Sequence, residues 1–369
     1  MTTVIETPVE SPVDAAGELV SRIFAAGVAA ADLFTIQLGL ELGLYRALDD
    51  QGPADSATLA ARTNLAERYV REWLQGQTTT GLTTADGPDV TTARFALAPG
   101  VREVLLDCLA ATHIAPIATC MATIGAVLPR VADAFRTGGG VPYQDYPQGH
   151  VIQAALNRPA YTHDLVATWL PAIPDVAARL ADAAHPVHIG DLGCGAGWSA
   201  ITLAAAYPHI TVEGVDNDEA SIDLARANAR EHGVDDRVAF TVADLGAVDA
   251  GGEGRYDLIL VFECLHDLPR PAEALANARR WLRPDGAVIV MDENAAESLA
   301  APGDEVERFF AQCSVLWCLP QGMVGADPEP AGTLLRPDAL RALAVRAGFV
   351  DVTVLDIDHP FWRFYRLHP

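Results

Sequence analysis

At 369 residues, half of them hydrophobic, the chain is long enough for about two domains, each with its own core. Its formal net charge of −24 argues against nucleic acid and anionic lipid as partners, because both carry the same sign. All 25 basic residues are arginine, which excludes chemistry that needs a lysine, such as Schiff bases and phosphate-cradling P-loops.

Residues 1–15, rich in Pro, Glu and Thr, lack the basic start and apolar stretch of a secretion signal and read as a flexible tail. In residues 31–48, Leu33, Ile36, Leu40, Leu44 and Leu48 recur at helical spacing. Residues 55–65 and 66–82 predict two further helices joined by a turn, with Asp55 or Ser56 as the first cap. Residues 83–97 offer two short extended runs around an Asp-Gly-Pro turn. Helix, helix, helix and hairpin is the winged-helix order, assigned here to residues 16–110. A DNA-reading role would need a basic second helix, but Glu67, Arg68, Arg71 and Glu72 cancel. Dimerisation or a substrate lid is the expectation instead.

The stretch from Cys108 to Pro129 has no formal charge, and a membrane span needs about 20 residues. Its Thr112, His113, Pro116, Thr119 and Thr123, and its abundant alanine, fit a buried helix of a domain or dimer core better. Residues 111–185 read as a helical linker and lid region, interrupted by the Gly/Pro/Tyr-rich segment 138–149. The glycines there, beside Tyr143, would let backbone approach a ligand closely. The six cysteines (Cys108, Cys120, Cys194, Cys264, Cys313, Cys318) show no CxxC pair and no zinc spacing, and read as reduced thiols of a cytoplasmic protein.

From residue 186 to 369 the texture alternates. VHIGDL, TVEGVD, VAFTVAD, YDLILVF and GAVIVMD read as strands, with helices between them, which predicts an α/β domain with a parallel-rich sheet. The first strand runs into Asp191-Leu-Gly193-Cys194-Gly195-Ala-Gly197-Trp198, where glycines permit a tight turn beside a helix start. Asp216 ends the second strand, nineteen residues after Gly197, where a carboxylate can accept from ribose hydroxyls. Asp244 ends the third, within reach of an adenine amino group. An NAD site would space its glycines G-x-G-x-x-G, and this loop reads G-x-G-x-G.

DLGCGAGW, GVD, VAD and FECLHDLPRPAEALANARRWLRPDGAVIVMDE resemble the successive motifs of class I S-adenosylmethionine-dependent methyltransferases, over the whole of residues 186–369. The winged-helix front end is similar to that of dimeric small-molecule O-methyltransferases. GGGVPY, NRPAYTHDL, SVLWCLPQGM and RFYRL resemble an actinobacterial branch of that family. The resemblance implies S-adenosylmethionine as cofactor, a homodimer, and O-methylation of a small, aromatic secondary metabolite. C- or N-methylation stands as the alternative, as does use of the cofactor without methyl transfer, in a lyase, hydroxylase or pericyclic catalyst.

It also implies roles for particular residues. Gly193, Gly195 and Gly197 would approach the methionine part, Asp216 the ribose, and Asp244 and Leu245 the adenine. Asp191, Cys194, Asn217 and Phe262 would complete the cofactor contacts. His266 of the LHDL motif would be the general base, oriented by Asp292, with the rate falling below a pKa of about 6–7. A second family carboxylate would fall near Leu334 and is absent. Phenylpyruvate C-methyltransferases of similar shape hold iron through such an HD motif and a later histidine. The counterpart here is Trp317, which cannot ligate, so no metal is expected. Trp317, Tyr143 and Met323 would instead wall the substrate pocket.

Overall fold

The computed structural model describes residues 12–246, 253–299 and 301–369, so the first eleven residues of the expected tail lie outside the described residues. The chain divides into two compact units, Met1–Cys108 with Thr112–Ala122, and Leu109–Ala111 with Thr123–Pro369.

In the first unit a helix runs from Pro12 to Glu41, beginning inside the expected tail. The single helix expected over 31–48 is two. Gly43 takes a φ of 69°, a left-handed position that only glycine adopts without penalty, and a new helix starts at Leu44 and runs to Gln51. Asp55 caps the next helix, Ser56–Thr63, by accepting from the Thr58 N–H at 2.7 Å. Helix Glu67–Thr79 follows, and then β1 (Thr83–Ala85) pairs antiparallel with β2 (Phe95–Leu97). The core of this winged helix centres on Leu44, Tyr45, Leu59, Leu74 and Phe95, with Tyr45 edge-on to Trp73 at 4.9 Å. The long first helix leaves Leu19, Val20, Ile23, Phe24, Val28, Phe34 and Leu38 exposed.

The uncharged stretch from Cys108 is not one helix. Helix starts at Pro116 and ends at Thr137, so its second half carries Arg130, Asp133 and Arg136. By length and composition, two helices among the described residues are apolar enough to cross a membrane, Ala15–Glu41 and Pro116–Thr137.

Among the described residues the second unit holds seven strands: β3 (His188–Leu192), β4 (Thr211–Asp216), β5 (Val238–Val242), β6 (Tyr256–Phe262), β7 (Leu282–Glu293), β8 (Asp351–Val354) and β9 (Trp362–His368). They form one sheet in the order β5-β4-β3-β6-β7-β9-β8. The first five are parallel, as their alternation with helices predicts, and β9 runs antiparallel to both β7 and β8. That closing pair was not foreseen.

Both faces of the sheet are covered. Along β6, Leu258, Leu260 and Phe262 enter one core, with Trp169, Ile201 and Phe364, while Ile259 and Val261 enter the other, with Trp281, Leu340 and Tyr365. This is the two-residue period of a strand buried on both sides. Full burial of each aliphatic side chain stabilises by about 1.5–3 kcal/mol. Strand order steps outward from β3 through β4 to β5, then returns to β6 on the other side of β3. The carboxyl ends of β3 and β6 therefore flank a crevice at the switch point, where open α/β sheets bind ligands. The architecture is a mostly helical winged helix followed by a Rossmann-like α/β domain.

Candidate active site

A cavity of about 520 Å³ opens at that switch point. Its lining includes Gly193, Cys194 and Gly195 after β3, Asp216 and Asn217 after β4, Asp244 and Leu245 after β5, and Phe262 at the end of β6. Of the ten expected cofactor contacts, eight are thus brought together. Asp191 and Gly197 do not line the cavity.

Gly193, Gly195 and Gly197 all have positive φ, at 73°, 51° and 77°. They are needed for different reasons. A side chain on Gly193 would run into the Cys264 sulfur, and one on Gly197 would come within 2.5 Å of the Phe240 ring. Nothing of the protein lies within 4 Å of where a Gly195 side chain would be. Gly197 turns the chain into helix Trp198–Ala206 from behind the cavity wall. Asp191 is buried under the loop, takes the Ser199 hydroxyl as a donor, and is pushed by burial up to about 6.

Asp216 Oδ2 accepts from the Gly195 N–H at 2.9 Å, and Oδ1 from the Asp218 N–H at 3.0 Å. Desolvation raises its pKa, and the backbone N–H bonds oppose the rise. Asp244 stands at the exposed rim, where its Oδ1 accepts from the Gly246 N–H at 2.8 Å and its Oδ2 lies 3.6 Å from Arg270.

The expected pair His266 and Asp292 is also brought together, Nδ1 to Oδ1 at 3.0 Å. Glu293 Oε2 lies 3.0 Å from the same nitrogen, and Asp267 Oδ1 lies 3.4 Å from Nε2. Glu293 thus supplies a second carboxylate, which sequence reasoning placed near Leu334 and found missing. Neither His266 nor Asp292 lines the cavity; they are 2 % and 0 % exposed. The turn Leu265–Asp267 presents Asp267 to the cavity and sends the imidazole towards the end of β7.

Burial alone would lower the pKa of His266. Asp292, Glu293 and Asp267 outweigh burial and raise it well above its usual value. The balance favours the imidazolium form, which has no lone pair to take a proton, and so runs against the expected titration near 6–7.

Of the three expected substrate-pocket residues, Tyr143 lines the cavity, and Trp317 and Met323 do not. Trp317 is buried, stacked on Tyr146 at 4.4 Å and tilted against Tyr143 at 6.4 Å, so it supports the wall from behind. Met323 lies half-buried between the lining residues Gln321 and Val324. Donor atoms of His266, Asp267 and Cys318 come within 4.8 Å of one another, as do those of His266, Asp292 and Glu293. In both groups the imidazolium already provides the carboxylates' counter-charge.

Glu263 is the residue that sequence reasoning missed. It lines the cavity directly after β6, and its Oε1 is buried without a hydrogen-bond partner. The rule that singled out Asp216 and Asp244, an acid at a strand's carboxyl end, applied equally to it.

Residues 187–324 match a methyltransferase domain model, and residues 29–105 match the Rv2258c-like winged HTH domain. The chain is 32 % identical over 152 residues to 27-O-demethylrifamycin SV methyltransferase of Amycolatopsis mediterranei, covering 40 % of this chain and 55 % of that one. Three of the curated relatives are matched over 38 %, 55 % and 41 % of their own length. An O-methyltransferase family protein of Burkholderia thailandensis superposes with a TM-score of 0.65 at 18 % identity, over 98 % of both chains. Human N-acetylserotonin methyltransferase, solved in complex with SAM, superposes with a TM-score of 0.66 at 17 % identity, over 98 % of this chain and 99 % of that one. The chain thus carries a region matching the Rv2258c-like winged HTH domain, followed by a region matching a methyltransferase domain.

Proposed function

We propose that the chain transfers the methyl group of S-adenosylmethionine to an oxygen of a small, aromatic secondary metabolite. The observation that carries this reading is the switch-point cavity, where Asp216, fixed by two backbone N–H groups, faces the open side of Gly195. The cavity's volume is within the range of cofactor sites. Each Asp216 oxygen accepts one protein hydrogen bond and keeps a lone pair for a ribose hydroxyl. The cofactor supplies an electrophilic methyl on a sulfonium.

The chain's own residues bind and align. Gly193, Cys194 and Gly195 back the methionine part, Asp216 and Asn217 hold the ribose, and Asp244, Leu245 and Phe262 bound the adenine end. Asp191 and Gly197 shape the loop from behind. Tyr143 and Tyr161 offer aromatic walls to the acceptor. His266 and Asp292 are positioning residues: the imidazolium holds Asp267 at the cavity wall. Alignment of the acceptor with the methyl provides much of the rate.

The exposed apolar side chains of the first helix belong in an interface with a second copy, so the working unit is a homodimer of a cytoplasmic enzyme. Its net charge of −24 leaves no role for nucleic acid.

The test uses S-adenosylmethionine carrying an isotopic methyl label, offered with a panel of phenols, carboxylic acids and 2-keto acids. Mass spectrometry should find the label on an acceptor oxygen, and calorimetry should show S-adenosylhomocysteine binding. Binding of NAD in its place, or no labelled product, overturns the reading.

A further inference from the structure

Across the crevice from the glycine loop, the residue after β6 is Glu263. Its φ is 55°, a left-handed conformation that is costly for a residue with a Cβ and that clusters at functional sites. The conformation is held on both sides. The Glu263 N–H donates to the Met291 carbonyl at 2.9 Å, and the next side chain, Cys264, packs where a Gly193 side chain would be. So held, Glu263 contributes to the cavity lining, and one of its carboxylate oxygens, Oε1, is shielded from solvent and accepts no hydrogen bond. Buried acceptors left unmet are few in folded proteins, and a catalytic role is one of the reasons a fold keeps them.

We infer that Glu263 is the proton acceptor of the reaction, taking the hydroxyl proton of the acceptor substrate as its oxygen is methylated. The inference rests on the methyl transfer proposed above. In the step, an oxygen lone pair forms the new bond to the methyl carbon, and the carbon–sulfur bond breaks with its pair going to sulfur. The oxygen–hydrogen pair stays on oxygen and the proton passes to the Glu263 carboxylate, which later releases it to water. His266 is less suited to this part, because it does not line the cavity and its carboxylate neighbours favour its protonated form.

The groups that face Glu263 are His266 and Asp267 from the following turn, Asp292 and Glu293 from β7, Tyr161 from helix Gly149–His163, and Trp362 from β9. Burial raises its pKa first. Asp292 and Asp267 raise it further, while His266 and a hydrogen bond from the Trp362 side chain lower it, and the balance is about 8. A carboxylate of that basicity suits proton transfer near neutral pH far better than one near 4. The base form grows as pH rises through about 8, so turnover rises with it.

The test compares wild type, Glu263→Gln and Glu263→Asp. Calorimetry with S-adenosylhomocysteine reads the fold and the cofactor site. Labelled-methyl transfer to the same panel of phenols and acids is read from pH 6 to 9.5. Expected is a Glu263→Gln variant that binds S-adenosylhomocysteine within about threefold of wild type, yet loses about 10²–10⁴ in kcat. The pH-dependent limb should vanish with it, and Glu263→Asp should recover part of both. Infrared difference spectra of the S-adenosylhomocysteine complex should show a protonated-carboxyl band that titrates near pH 8 and is missing from Glu263→Gln. A variant that keeps wild-type turnover, or that loses S-adenosylhomocysteine affinity by more than tenfold, overturns the inference. In the second case Glu263 holds the cofactor. A wild type that transfers no methyl to any acceptor overturns the methyltransferase reading itself, and this inference with it.

Discussion

Asp216 and Glu263 occupy equivalent places, at the carboxyl ends of the two strands that flank β3, yet the backbone treats them differently. Asp216 receives two N–H groups, one on each oxygen. Glu263 has a buried oxygen that nothing in the protein meets, and its neighbours are mostly other acids. A carboxylate satisfied by backbone donors is fixed as an anion that accepts hydrogen bonds. One left unsatisfied among like charges holds its proton more tightly and can exchange it near neutrality. On the roles proposed above, the same residue chemistry at the same topological position would serve binding on one side of β3 and proton transfer on the other.

The contrast can be broken most forcefully at His266. Replacing it by alanine strips the cation from Asp267, Asp292 and Glu293, which lie within 3.4 Å of its ring. Loss of one partner of a buried ion pair typically costs about 3–5 kcal/mol. Urea denaturation near pH 7 should show a loss of that order. A loss below about 1 kcal/mol would mean that the carboxyls are already neutral and need no counter-charge.

A second effect is on pH dependence. Asp191 near 6, Glu263 near 8 and the raised His266 hold protons in the folded chain that the unfolded chain releases at lower pH. The stability each provides is complete below its unfolded pKa and is lost as pH climbs through its folded value. Unfolding free energy should therefore fall between pH 5 and 8, by about 1.4 kcal/mol per pH unit for each group in its window. Denaturation curves that shift the other way would contradict the burial of this cluster.

On the binding side, Asp216→Ala should weaken S-adenosylhomocysteine by about 1.5–3 kcal/mol, or roughly tenfold or more. Unfolding free energy should change less than in His266→Ala. Equal affinities in calorimetry would remove Asp216 from the cofactor site.

The smallest and most pointed change is Gly195→Ala. Its φ of 51° makes alanine cost about 1 kcal/mol of stability, but no protein atom stands in the way. Affinity for S-adenosylhomocysteine should fall more than stability does. Gly197→Ala should reverse that order, because its side chain would meet Phe240.

What could be read without the structure followed from patterns with a fixed period or a fixed place. The strand–helix alternation, the glycine loop and the acids after β4 and β5 all declare themselves in one pass. The unreadable parts depend on direction. Met323 lies next to a cavity residue in sequence and Trp317 one helical turn from another, but which side of the backbone faces the cavity is set by packing, for Trp317 against Tyr146. His266 lay in a legible motif, yet its charge depended on Glu293, whose approach required β6 and β7 to pair. Helix propensity carried the reading across Gly43, where a single left-handed residue ends one helix and starts another. The antiparallel β8–β9 pair escaped because β8 has only four residues and both strands mix polar with apolar positions, a weak alternation.

The lining of the cavity has a further consequence. Asp216, Asp218, Asp244, Glu263 and Asp267 face it, against the single guanidinium of Arg270. ATP and the phosphorylated dinucleotides share the adenosine half that this cavity would hold, but each would carry several negative charges into a bowl of carboxylates. Discrimination against them needs no steric gate, because like charges at close quarters reject the wrong nucleotide. The same field favours a nucleoside bearing a positive sulfonium over its neutral thioether product. With S-adenosylmethionine bound as proposed, the site would loosen its hold on the spent cofactor once the methyl leaves, giving turnover an electrostatic exit.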